Sequence, residues 1–172
     1  MPKPDEKIRS GDRFMPCVLG RLTDQNPQAA TEHFSRGISI KQLKRDILWN
    51  IEMILNSRSH PGRAELNNDG MICDSVLGMG LPDFCGISHS PEQLEKLRKE
   101  ILHQLRCFEP RINADSLTVT LIQEKQGVSG NSVLEMEILG QIEVAPLREE
   151  LVFQSRLDLE SGTTSVKLLE ER

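Results

Sequence analysis

The hydrophobic period of this chain changes once, at Pro110, and that switch limits the fold more than any other feature. Ahead of it, apolar residues recur every three or four positions, which builds one face of a helix. Beyond it they alternate with polar residues, the spacing of a half-buried strand. A chain that spends its first part on helices and its second on strands points to an α+β domain.

The clearest helix runs from 39 to 57. Ser39 opens it with Gln42 three residues on, a pairing that can satisfy amides at the helix start. Ile40, Leu43, Ile47, Leu48, Ile51, Ile54 and Leu55 share its buried face, and Pro61-Gly62 lies past its end. A second helix begins at Ser90-Pro91-Glu92-Gln93, with Ser as cap and Pro at the first helical position. Its stripe is Leu94, Leu97, Ile101, Leu102, Leu105 and Phe108, and Pro110 stops it. Between the helices, residues 70 to 86 mix apolar residues with Gly and Pro too often for more than one helical turn.

After Arg111, Leu117, Val119 and Leu121 alternate with Thr, and Leu134, Met136 and Ile138 alternate with Glu across a turn at 126 to 131. The second strand can continue through Ile142 and Val144, with Gly140 as a bend or bulge. Leu151, Phe153, Leu157 and Leu159 suggest a third strand whose repeat slips at Ser155. Ser161-Gly162 is a tight turn, and 163 to 169 is a fourth, weaker strand. The architecture expected is N-terminal helices packed on one face of a C-terminal antiparallel β-sheet of about four strands.

Residues 1 to 13 are polar, with Pro2, Pro4 and Gly11. Phe14 to Leu22 then forms an apolar patch, followed by the break Thr23-Asp24-Gln25-Asn26-Pro27. The patch either docks a partner or folds back onto the core. The division places an N-terminal arm with a short docking segment at 1–36 and the α+β domain at 37–172.

The net charge of −5 argues against a nucleic-acid partner, since phosphate backbones are bound by clustered Lys and Arg. No apolar run is long enough for a membrane span, and the N-terminus lacks the apolar core of a signal peptide, so a cytoplasmic protein without direct membrane insertion is expected. Aromatic content of 3% leaves any interface to aliphatic and backbone contacts. In that compartment Cys17, Cys73, Cys85 and Cys107 read as reduced, packed thiols. Cys73, Cys85, His89, His103 and Cys107 could assemble a metal site, but none of them has tight Cys-x-x-Cys spacing, and packing is the reading taken. No metal or cofactor is expected.

Nucleotide-binding loops, nucleophile elbows and zincin motifs are missing from the sequence. A glycosidase needs two carboxylates at fixed separation. Glu109 is the best single candidate, but it lies beside Arg111, and a carboxylate held ionised by an arginine is a poor general acid. Glu109 and Arg111 read instead as a hydrogen-bonded pair fixing the corner between helix and sheet.

Four segments carry a family resemblance. Val18 to Asp24 looks like the "LLDRLTD" segment of type VI secretion baseplate wedge subunits, relatives of the lysozyme-like wedge proteins of contractile-tail phages. Leu43 to Arg58 is similar to their "RDLEWLLNTR" helix, Asp74 to Asp83 resembles "SVLNYGLPD", and Phe108 to Ile112 matches the "EPRL" corner. Gly20 stands where the family has Asp, Trp49 is displaced from the usual Glu-Trp pair, and Met79 replaces an aromatic. The resemblance implies a structural, non-enzymatic baseplate component that joins other wedge subunits and helps anchor the contractile sheath. A smaller relative of the fold that sequesters a response regulator suggests an anti-adaptor instead, and the phage name suggests a cell-wall glycan hydrolase. In the wedge reading, the candidate protein-binding residues are Val18, Leu19 and Leu22 in the docking segment and Glu109, Pro110 and Arg111 at the corner. The fourth strand either offers an edge to which sheath strands add, or is blunted by Lys167 and the charged residues after it.

Overall fold

The computed structural model describes residues 14–23, 27–28, 37–60, 70–84, 90–122, 133–145 and 147–169. The polar stretch 1–13 and the expected turn at 126–131 lie outside them, as do Cys85 and His89. Among the described residues, four helices, α1 (Val18–Leu22), α2 (Ile40–Asn56), α3 (Gly70–Cys73) and α4 (Pro91–Phe108), precede four strands, β1 (Thr118–Ile122), β2 (Val133–Val144), β3 (Leu147–Asp158) and β4 (Thr164–Leu168).

The long helices start where the sequence signals them. Ser39 Oγ accepts from the Gln42 amide at 3.3 Å, and Ser90 Oγ from the Gln93 amide at 3.4 Å, each capping an N–H of the first turn. Leu43, Ile47, Ile51, Ile54 and Leu55 are buried from α2, and Leu94, Leu97, Ile101 and Leu105 from α4. Removing each such side chain from water stabilises the fold by roughly 1.5–3 kcal/mol. The stripes of α2 and α4 join one hydrophobic core with Val119, Leu134, Met136, Ile138, Ile142, Leu147, Leu151, Phe153 and Leu157 of the sheet.

The strands lie in the order β1-β2-β3-β4, each antiparallel to the next. Two details differ from the sequence expectation. The β2–β3 register runs without interruption through Gly140, opposite Leu151, so there is no bulge. The glycine is a matter of space: a Cβ there would lie 2.7 Å from Ile112 Cγ2 and 3.2 Å from Leu117 Cδ1. Likewise β3 begins at Leu147 and its alternation is unbroken, because Ser155 occupies a buried inward position in step with Phe153 and Leu157. The slip was one of polarity, not of geometry.

The glycine-rich segment holds two short elements: the single α turn of α3 and a 3-10 turn at Val76–Gly78. Two of its glycines are required. A Cβ on Gly78 would sit 2.0 Å from the Cys73 carbonyl oxygen, and Gly80 has φ +108°, open to glycine and rarely to other residues. Buried Gln104 of α4 braces the segment, accepting from the Gly80 amide at 2.8 Å and donating to the Gly78 carbonyl at 3.1 Å.

Candidate partner-binding site

Glu109 is the residue at which α4 ends, and its side chain is 0% exposed. A carboxylate that deep in a protein is costly unless every lone pair meets a donor. Arg111 Nε donates to Oε1 at 2.6 Å and its NH2 group to Oε2 at 2.7 Å, a bidentate fork. The Arg111 amide adds a 3.3 Å bond to Oε1, and Asn50 Nδ2 of α2 donates to Oε2 at 2.7 Å. Asn50 also reaches the Phe108 carbonyl at 3.3 Å, tying α2 to the last turn of α4.

The backbone past this cluster joins the sheet. The Arg111 carbonyl accepts from the Glu143 amide and the Asn113 amide donates to the Gln141 carbonyl, each at 2.8 Å, with Ile112 bridged to Ile142. The cluster therefore locks α2, α4 and β2 into one corner. Burial pulls the Arg111 pKa down, but the hydrogen bonds and charge of Glu109, with smaller contributions from Cys17 and Asp46, outweigh it and leave the value raised. Asp46, on α2, is itself raised by burial, against the attraction of Arg111 and Arg45. Both oxygens of Glu109 are engaged by donors of its own chain, an arrangement suited to holding a corner.

Cys17 Sγ caps α1 by accepting from the Gly20 amide at 3.3 Å, and Thr23 closes the other end on the Leu19 carbonyl. A Cβ at Gly20 would meet Cys17 Sγ at 3.5 Å, an ordinary contact, so the helix has room for the family's Asp. The apolar patch of the sequence divides in two. Phe14 pairs with Ile38 through two backbone hydrogen bonds and enters the core at 3% exposure. Val18, Leu19 and Leu22 stay exposed, at 70%, 49% and 78%. Their spacing of one and four residues puts them on one side of the helix.

Over residues 41–147 the sequence matches the protein family described as Baseplate wedge protein gp25. The chain belongs to that family. The match covers more than half of the chain and runs from α2 through the Glu109–Arg111 corner to the first residue of β3, leaving α1 outside it. A structural role in a baseplate follows from membership. Comparison with curated proteins and with solved structures found no match. No helix among the described residues is long and apolar enough to cross a membrane.

Two features of this wedge protein were not singled out in its sequence. One is a further set of exposed apolar side chains: Trp49 and Met53 on α2, and Met71, Val76 and Leu77 on the glycine-rich segment. The other is Asp74, which meets His103 and Cys107 on the surface of α4. Cys73 is half-buried on the preceding turn.

Proposed function

We propose that this chain is a wedge subunit of a type VI secretion baseplate, a structural component that joins other wedge subunits and anchors the contractile sheath. The observation that carries the reading is the family match over α2, α4 and the corner between them. The exposed side of α1 is its docking element, with Val18, Leu19 and Leu22 against a partner, and the Glu109-Pro110-Arg111 corner sets the angle at which α2, α4 and the sheet are presented.

The sheath contact is the outer edge of β4. The Asp158 amide bonds the Thr163 carbonyl and the Leu169 amide bonds the Val152 carbonyl, so alternation turns the odd residues 163 to 169 toward β3 and the even ones outward. Asn56 of α2 takes up both outward groups of Thr164, at 2.8 Å each. The outward groups of Val166 and Leu168 are those an added strand would pair with.

Capturing a tagged copy from cells that assemble the contractile apparatus tests the proposal: wedge subunits and sheath should be recovered with it. Recovery of a response regulator instead would support the anti-adaptor alternative. Glycan release from cell-wall substrate by the purified chain, disappearing with Glu109→Gln, would establish a hydrolase and defeat the structural reading.

A further inference from the structure

We propose that Asp74, His103 and Cys107 form a binding site for a zinc-like divalent cation that clamps the glycine-rich segment to α4. His103 and Cys107 are four residues apart, one helical turn, and so project from the same side of α4. Asp74 follows α3 in a segment held in place from both sides, by the close approach of Gly78 to the Cys73 carbonyl and by the two hydrogen bonds from Gln104. The third donor is thus delivered by braced backbone.

The separations fit one metal ion. His103 Nε2 lies 3.4 Å from Asp74 Oδ1, Cys107 Sγ lies 3.6 Å from the same oxygen, and Sγ lies 3.9 Å from Nε2. Zinc bonds of about 2.0–2.3 Å at the tetrahedral angle put neighbouring donor atoms about 3.4–3.6 Å apart; the two separations from Asp74 Oδ1 match that spacing, and the 3.9 Å between Sγ and Nε2 is longer, so binding would draw those two side chains together. The 3.4 Å between His103 and Asp74 is long for a charge-assisted hydrogen bond, which runs at about 2.7–2.9 Å. It suits two ligands sharing an ion better than two groups sharing a proton. All three candidate donor atoms lie within 4.8 Å of one another, and no other group of three His, Cys, Asp or Glu among the described residues meets that condition.

One sulfur, one imidazole nitrogen and one carboxylate oxygen select borderline-soft zinc or cobalt over magnesium or calcium, which prefer oxygen donors throughout. On binding, the Cys107 thiol releases its proton to solvent and coordinates as the thiolate. His103 and Asp74 keep side-chain exposures of 39% and 59%, so the fourth coordination position opens to water or to a donor from outside. Met71, Val76 and Leu77 flank Asp74 on the segment, and the ion would hold that apolar surface in one arrangement.

Cobalt(II) titration of the full chain, stripped with chelator and kept reduced, tests the site. The expected result is a thiolate-to-cobalt charge-transfer band with the visible absorption of tetrahedral cobalt, saturating at one equivalent and displaced by zinc. Cys107→Ser and His103→Ala should remove the band, and Cys73→Ser should keep it. Asp74→Ala should weaken binding by at least the ~10–100-fold that loss of an outer-shell partner costs. Absence of the band in the wild-type chain, or its survival in Cys107→Ser, would overturn the proposal without reference to how any variant folds.

Discussion

Glu109 shows how far a single residue could be followed from sequence. Its neighbour Arg111 and its place at a helix end before proline were enough to pair the two. Asn50 was not legible, because nothing in a sequence says which face of α2 meets the end of α4. The pair is now a four-bond cluster, and removing one member leaves charge buried without its partner. Glu109→Ala should lower unfolding free energy by about 3–5 kcal/mol, measured by denaturant unfolding; a loss under 1 kcal/mol would mean the corner tolerates an unpaired Arg111. Asp74 was invisible for the same reason as Asn50. His103 and Cys107 declare themselves by helical spacing, whereas the carboxylate comes from a loop whose path depends on the room left by Gly78 and the bonds of Gln104.

Among the elements, α2 and α4 were readable almost to the residue, since cap, stripe and stop signal agree in each. The sheet was readable in strand number and alternation, but not at Gly140 or Ser155, where tertiary packing chooses the residue. Gly140 makes room for Ile112 and Leu117, and Ser155 sits in an inward position that period alone would give to an apolar residue. The β3–β4 connection carries its own pH dependence. Amide donation from Glu160, together with the hydroxyl and amide of Ser161, holds the Asp158 pKa below its ordinary 3.8. A depressed carboxylate stabilises the fold above 3.8 and loses that contribution as pH falls through the folded value. Asp158→Ala should therefore melt below wild type at neutral pH, with the gap closing under acid conditions; a gap independent of pH would assign the effect to the turn alone. Val166→Pro tests the edge. The Val166 N–H points away from β3, so proline there removes an outward donor and spares the β3 ladder. The variant should fold and enter the wedge but lower the frequency of sheath polymerisation from the baseplate, and normal sheath assembly would place the contact elsewhere.

At the scale of the molecule, the corner holds three elements at once, with α2 and α4 locked together and β2 continuing from the same cluster. The apolar patch at 14 to 22 was only half legible. Its apolar character was plain, but which residues join the core was not: Phe14 does, and Val18, Leu19 and Leu22 stay exposed. Phe14 is core, so deleting the whole arm would remove a buried ring, a loss of about 3–5 kcal/mol for Phe→Ala in a core. Changing Val18, Leu19 and Leu22 to Asp instead leaves Phe14 and its Ile38 pairing in place while charging the exposed side of α1. Co-purification of wedge subunits with that triple variant is the most direct test of the account. The variant should keep the wild-type melting temperature within a few degrees and lose the wedge subunits that the wild-type chain recovers. Recovery of those subunits at full yield by the folded triple variant would contradict it.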